Sequence, residues 1–178
     1  VASIMSAFVK EEWQALTRMS CDAGADMIEM NLSCPHGMHE KNMGLALGVY
    51  PDKVKSACSW VVEASTVPVF AKLTPNVTDI TVIAQAAYDG GCSGVTAINT
   101  VSGLTGFHTD ATPGRHGVGT HKDITYGGLC GNTVRPLAFK GVSAIAKKIP
   151  GIPIMATGGI DSADVTAQMM YAGSSVVQ

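Results

Sequence analysis

The hydrophobic positions of this sequence change repeatedly between two spacings. Apolar residues recur every three to four positions in five segments, which predicts helices over residues 8–23, 51–64, 77–88, 133–148 and 161–172. Short apolar runs stand near these segments and predict strands at 25–30, 67–73, 94–98, 152–156 and 175–177. Because such strands carry few polar residues on either face, they are typical of a parallel sheet covered by helices.

Polar residues recur just after these strands, at Asn31, Lys72, Asn99 and Thr157. A doubly wound sheet and a TIM barrel both fit the alternation, but this placement favours the barrel, whose active sites lie there. Five strands are predicted where a complete barrel has eight. We therefore expect a partial α/β TIM barrel, a single domain over 1–178 that is truncated at both ends. With open sheet edges, the isolated chain is expected to be unstable and inactive.

Composition narrows the classes of function. The chain is 46% hydrophobic and only 15% charged, which predicts a folded domain. The net charge is -2 and no cluster of Lys and Arg stands out, so nucleic acid is not an expected partner. No apolar run is long enough for a membrane span, and the first residues do not resemble a signal peptide. The five cysteines are widely spaced without C-x-x-C, which predicts a reducing, cytoplasmic setting and no bound metal.

The strongest chemical signal is the segment NLSCPHG at 31–37, which begins at the end of a strand. The carboxamide of Asn31 suits the amide edge of a pyrimidine ring. Cys34 lies in a polar loop, where a thiol can give or take a proton. A lone cysteine is more often buried and inert, but the position at a strand end reverses that preference here. The loop from Gly37 to Gly48 fits a mobile lid or an ordinary surface loop.

Three further groups of residues are candidates. Lys72 ends an apolar strand and needs either an anionic ligand, such as a reduced flavin, or a structural ion pair. Asn99 and Thr100 either bind a heterocycle or form a turn. Glycine-rich stretches around Gly131 and at Gly158 and Gly159 suit a phosphate group. No G-x-G-x-x-G motif occurs, so a mononucleotide is favoured over a dinucleotide. His108, His116 and His121 are interpreted as surface residues.

Taken together, these segments resemble the dihydropyrimidine dehydrogenases, within the wider class of dihydroorotate dehydrogenases. The resemblance covers nearly the whole chain and is carried by residues 31–38 (NLSCPHGM), 70–80 (FAKLTPNVTDI), 99–103 (NTVSG) and 156–162 (ATGGIDS). His39 and Asn42 stand where the family is expected to have glycine.

The resemblance implies an FMN-binding TIM barrel that reduces uracil or thymine to the 5,6-dihydropyrimidine. Cys34 would be the general acid, and Asn31, Asn99 and Thr100 would bind the pyrimidine. Lys72, Gly131, Gly158 and Gly159 would bind FMN. FAD, NADPH and iron–sulfur clusters are expected elsewhere in a longer parent chain, which would be a homodimer.

Two other functions stay open. A dihydroorotate dehydrogenase would run the same chemistry as an oxidation. Its orotate carboxylate would need a cation, for which Lys41 is the candidate nearest to the motif. An inactive fragment or a barrel that only binds its ligand is the second alternative.

Overall fold

The structure is a computed structural model that describes residues 1–34, 42–104 and 126–178. Its helices are α1 (Lys10–Asp22), α2 (Leu45–Gly48), α3 (Pro51–Ala64), α4 (Ile80–Asp89), α5 (Arg135–Lys148) and α6 (Ala163–Tyr171). Its strands are β1 (Ala2–Ile4), β2 (Ile28–Asn31), β3 (Val69–Lys72), β4 (Gly94–Ala97), β5 (Val101–Gly103), β6 (Gly127–Leu129), β7 (Ile154–Ala156) and β8 (Val176–Val177). A short 3-10 helix, Gly131–Val134, leads directly into α5.

Six strands form one parallel sheet in the order β1-β2-β3-β4-β7-β8, which is also their order along the chain. Asn31 pairs with Lys72, and Lys72 in turn pairs with Thr96. The carboxyl ends of β2, β3 and β4 therefore lie side by side. This arrangement confirms the predicted α/β fold. Each strand of the sheet pairs with the next sheet strand along the chain, and a helix lies between the two in sequence, as in part of a TIM barrel.

The two faces of the sheet differ in chemistry. Residues such as Ile28, Val69 and Ala71 are buried in the core shared with the helices. Side chains alternate along a strand, so the intervening residues face the other way. That second face carries Glu29, Asn31, Lys72 and Thr96, and it is the face on which a site can form.

The ends of several helices follow from the local sequence. Pro51 occupies the first turn of α3, where its missing N–H leaves no hydrogen bond unmade. The Asp79 carboxylate accepts a hydrogen bond from the backbone of Thr81 and caps α4, and Ser162 caps α6 in the same way. None of the helices in the described ranges is both long and apolar enough to cross a membrane.

The sequence prediction of five strands in the sheet was one too low. The missing strand is β1, whose residues pair with Ile28–Met30 of β2. Only three residues long, β1 gives too short a window for the alternation of apolar and polar positions to be recognised. Two short strands outside the main sheet were also not predicted, because β5 and β6 pair with each other as an antiparallel hairpin.

The loop from Gly37 to Gly48, for which a lid and a surface loop were both considered, is described only in part. Residues 35–41 lie outside the described residues. Beyond them, Gly44, Leu47 and Gly48 are buried, and Leu45–Gly48 forms α2. This part of the loop packs against the chain that follows β2, where Gly48 approaches Leu32.

Candidate functional site

The predicted site residues come together at the carboxyl ends of four neighbouring strands. Asn31 and Lys72 end β2 and β3 as register partners. Asn99 follows β4, and its N–H donates to the carbonyl of Leu73 at 2.9 Å. Thr157 follows β7 and donates its N–H to Ala97 at 2.7 Å. The sequence prediction that these positions share one edge is therefore correct.

The Asn31 carboxamide is fixed by three donors. Its Oδ1 atom accepts from the Ser33 N–H at 3.2 Å, the Ser33 hydroxyl at 3.3 Å and Asn99 Nδ2 at 3.2 Å. Since Oδ1 takes all three, Nδ2 has no acceptor within residues 1–34, 42–104 and 126–178. This amide nitrogen is thus available to donate to a bound molecule. Ser33, only 1% exposed, was not singled out from the sequence, although it lies within the Asn-Leu-Ser-Cys motif.

Asn99 and Thr100 belong to a second set of hydrogen bonds. The Thr100 N–H donates to Asn99 Oδ1 at 2.8 Å, and the Thr100 carbonyl accepts from Asn76 at 3.1 Å. Asn76 also accepts from the Ser102 N–H at 2.8 Å and so ties β5 to the loop after β3. A side chain at Gly128 would collide with the Thr100 side chain, so the hairpin lies directly against it. Asn76 is a further site residue that sequence reasoning missed.

Cys34 is half-buried and is a free thiol. Its carbonyl accepts a hydrogen bond from the Leu45 N–H at 3.1 Å. Gly44 has φ +58, and a Cβ there would overlap the Cys34 carbonyl and lie 3.2 Å from the Cys34 Cβ. Gly48 lies even closer to Leu32, whose carbonyl would be overlapped by any side chain. Two glycines thus let α2 support the loop that carries Cys34.

Lys72 makes an ion pair within the sheet. Its ammonium group lies 3.3 Å from Glu29 Oε1, and it donates to Gln178 Oε1 at 2.8 Å. Its side chain is 19% exposed, whereas that of Glu29 is 3% exposed. The structural ion pair considered for Lys72 is therefore present, and part of the side chain still reaches the surface of the site.

The glycines of the predicted phosphate site are neighbours in space. Gly131, Gly158 and Gly159 all have positive φ, at +74°, +123° and +72°. A Cβ on Gly159 would lie 2.8 Å from the Gly131 carbonyl and 2.9 Å from the Arg135 Cβ. Only glycine fits these backbone conformations and contacts together.

A set of polar side chains, Asn132, Arg135 and Asp161, holds this turn in place. Arg135 donates to the Gly159 carbonyl at 2.7 Å and forms an ion pair with Asp161 at 2.8 Å. Asn132 bridges them, since it donates to Asp161 at 2.9 Å and accepts from Arg135 at 2.8 Å. The hydrogen bond from Asn132 and the charge of Arg135 lower the pKa of Asp161 below its ordinary value. Sequence spacing gave no signal for these long-range contacts.

A metal site was also considered for the part of the chain that the structure describes. Within it, no group of three His, Cys, Asp or Glu side chains could hold a metal ion. His108, His116, His121 and Lys41 fall outside the described residues.

The parallel sheet and its polar strand ends define an α/β protein of the TIM-barrel type, with its candidate ligand site at the carboxyl ends of the strands. The chain belongs to the dihydroorotate dehydrogenase family, whose model matches residues 1–178. The crystal structure of a ligand-free DHODH from Eimeria tenella superposes with a TM-score of 0.65 at 22% identity, covering 93% of this chain and 49% of that one. This likeness supports the TIM-barrel fold.

Relatives of two kinds are similar to the chain. The chloroplastic dihydropyrimidine dehydrogenase (NADP(+)) of Arabidopsis thaliana is 35% identical over 100% of this chain and 42% of its own length. The NAD-dependent dihydropyrimidine dehydrogenase subunit PreA of Escherichia coli is 35% identical over 100% of this chain and 43% of its own length. The catalytic subunit of dihydroorotate dehydrogenase B (NAD(+)) from Streptococcus pneumoniae is 38% identical over 97% and 53%. The chain spans about half the length of these curated relatives.

Proposed function

We propose that this chain forms the flavin- and pyrimidine-binding part of an oxidoreductase that reduces uracil or thymine to the 5,6-dihydropyrimidine. The observation that carries the proposal is the hydrogen-bonded amide pair of Asn31 and Asn99 at the strand ends. Asn31 precedes Cys34 by three positions in the sequence. A uracil ring presents alternating N–H and C=O groups, and carboxamides offer both donors and acceptors to match them. The similarity to the dihydropyrimidine dehydrogenases supports the same function.

In this proposal, the substrate is bound by Asn31, Asn99 and Thr100. Asn31 Nδ2 is free to donate to a pyrimidine carbonyl, because its Oδ1 is already engaged. Asn99 keeps one amide hydrogen and one lone pair beyond its bonds to Asn31 and Thr100. These two side chains are prealigned without substrate, which lowers the entropy lost on binding.

The glycine turn fits the phosphate of FMN. Gly158 and Gly159 are half-exposed, and their N–H groups have no acceptor among the described residues. Together with Gly131 they form a turn with positive φ at each glycine, a backbone conformation in which successive N–H groups can point at an anion. Lys72 ends β3, two strands away from β7 in the sheet, and its cation would meet the flavin ring. When bound, FMN would supply the hydride that is added to C6 of the pyrimidine.

Cys34 would supply the proton. Reduction across C5 and C6 adds one hydride and one proton, so a general acid must serve C5. Cys34 is half-buried at the strand ends and is held by Gly44, so its thiol can face a bound ring. The resulting thiolate would recover its proton from solvent before the next turnover.

Dihydroorotate oxidation is the second candidate. The dihydroorotate dehydrogenase B subunit is as similar to this chain as the dihydropyrimidine dehydrogenases are. Orotate differs from uracil by a carboxylate, which needs a cation or extra donors. Lys72 is already paired with Glu29, and Lys41, the candidate cation for this carboxylate, lies outside the described residues. A barrel that only binds its ligand is the remaining alternative.

Several wider features belong to the proposal as well. We place residues 1–178 in one flavin-binding domain, and assign FAD, NADPH and iron–sulfur clusters to other parts of a homodimeric parent protein. The cytoplasm is the proposed location, although the Arabidopsis relative is named as chloroplastic. The proposal includes no nucleic-acid partner and no membrane.

Anaerobic photoreduction of the flavin in the full-length protein tests the reaction. After reduction, uracil or orotate is added and the flavin absorbance is followed. Rapid reoxidation by uracil and not by orotate is expected. Reoxidation by orotate alone would favour dihydroorotate chemistry, and a purified protein without flavin would favour a barrel that only binds its ligand.

A further inference from the structure

Glu29 is a carboxylate buried beneath the site. It lies in the middle of β2, two residues before Asn31, and only 2% of the residue is exposed. A carboxylate removed from water is costly unless other groups compensate for its charge. Its partners therefore indicate what it does.

The partners of Glu29 come from β3, β4 and the end of β8. Lys72 Nζ lies 3.3 Å from Oε1. Oε2 accepts from the Thr96 hydroxyl at 3.0 Å and from Gln178 Nε2 at 3.4 Å. Gln178 also accepts from Lys72 at 2.8 Å, so it bridges the two charges. Glu29 is thus held rigidly, and it holds the lysine in turn.

We infer that Glu29 is a positioning residue that fixes Lys72 and offsets its charge, and so limits how strongly the lysine stabilises negative charge on a reduced flavin. The inference rests on the proposed FMN site. A reduced flavin gathers negative charge at its N1–C2=O edge, and a nearby ammonium group favours it. A carboxylate 3.3 Å from that ammonium group cancels much of its field.

The variant Glu29→Gln tests the inference. Glutamine keeps an oxygen that accepts from Lys72, but it removes the negative charge. The flavin midpoint potential is expected to rise. Sulfite, which binds flavins more tightly beside a positive charge, is expected to bind about tenfold more tightly. Both readouts are independent of turnover.

Thr96→Val is the matched control, because it removes one hydrogen bond to Glu29 without changing any charge. Its sulfite affinity and midpoint potential should stay close to those of the wild type. A Glu29→Gln protein with wild-type potential and sulfite affinity would show that Glu29 only supports the sheet, and the inference would be overturned.

A second variant is needed because Glu29→Gln leaves a largely buried lysine unpaired, which can prevent folding. The double variant Glu29→Gln/Lys72→Met removes both charges and avoids this, and Lys72→Met, in which Glu29 keeps its hydrogen bonds from Thr96 and Gln178, is the reference for it. If Glu29 acts through Lys72, adding Glu29→Gln to Lys72→Met leaves the potential unchanged. An equal shift with and without Lys72 would overturn the inference. Wild-type protein without bound flavin would instead refute the proposed function, and the inference with it.

Discussion

Asn99 donates an amide hydrogen to the Oδ1 atom of Asn31 across 3.2 Å, although 68 positions separate the two residues in the chain. Asn99→Asp replaces this donor with an acceptor, which would repel Oδ1 and release the Asn31 amide. We expect uracil affinity to fall about tenfold to hundredfold, the cost of a misplaced buried hydrogen bond. Titration of uracil against the flavin absorbance measures it. Ser33→Ala is the control, since it leaves two donors on Oδ1 and should cost less.

Cys34→Ala is expected to remove the proton donor while leaving the amide pair intact. The rate of pyrimidine reduction should fall about 10²–10⁴-fold, as for loss of a general acid. Uracil affinity should change little. Single-turnover reoxidation of the reduced flavin separates the two quantities, and a variant that keeps the wild-type rate would require another proton source.

Gly44→Ala is expected to displace the loop that carries Cys34. Gly151→Ala is its matched control, because Gly151 also has positive φ, at +86°, but has open space around it. Both variants place a side chain at a position with positive φ, which lowers the free energy of unfolding. Only Gly44→Ala adds the overlap with Cys34. We expect the free energy of unfolding to fall by about 1–3 kcal/mol more for Gly44→Ala than for the control. Urea denaturation measures both, and equal losses would mean that the contact with Cys34 is unimportant.

The Asp161–Arg135 pair predicts a pH dependence of FMN binding. The pKa of Asp161 is lowered in the folded protein. At a pH above its unfolded pKa, the ionised carboxylate therefore stabilises its contacts with Asn132 and Arg135, which hold the glycine turn. That contribution is lost as the pH falls through the lower, folded value. Asp161→Asn should therefore bind FMN a few-fold more weakly at neutral pH, and the difference should persist down to about pH 4 and shrink only at lower pH, where Asp161 takes up its proton. Fluorescence titration of FMN across this range gives the comparison, and a constant difference would contradict the assignment.

The cysteines should differ sharply in reactivity. Cys58 and Cys92 are buried, and the hydrogen bond to the Cys92 thiol together with burial raises the pKa of Cys58 well above its ordinary value. Cys130 is exposed. Iodoacetamide reacts with thiolates, so it should label Cys130 in the folded protein and reach Cys58 and Cys92 only after unfolding. Peptide mass spectrometry reads out each position, and early labelling of Cys58 would disprove its packing.

The strand-end residues could be predicted from sequence because each directly follows an apolar run. Asn31, Lys72 and Asn99 are polar at positions where a strand ends, and parallel strands bring such ends to one edge. The pattern of apolar positions therefore predicted both the fold class and the location of the site.

The supporting residues could not be predicted in this way. Glu29 lies inside an apolar run, and the pattern does not say that its partner is Lys72, from another strand. The Gly48–Leu32 approach and the Arg135–Asp161 pair likewise depend on distances between segments that are remote in the chain. The strand β1 was missed because three residues carry too little periodicity.

The order of the strands in the sheet repeats their order in the chain, and this links the ligand to the stability of the whole sheet. A molecule that contacts Lys72 on β3 and Gly159 after β7 bridges two strands that pair with each other only through β4. It can bind only when the intervening strand is in place. Such a ligand stabilises the folded state over the unfolded one. The cofactor would therefore also stabilise β4, the strand between its two points of contact.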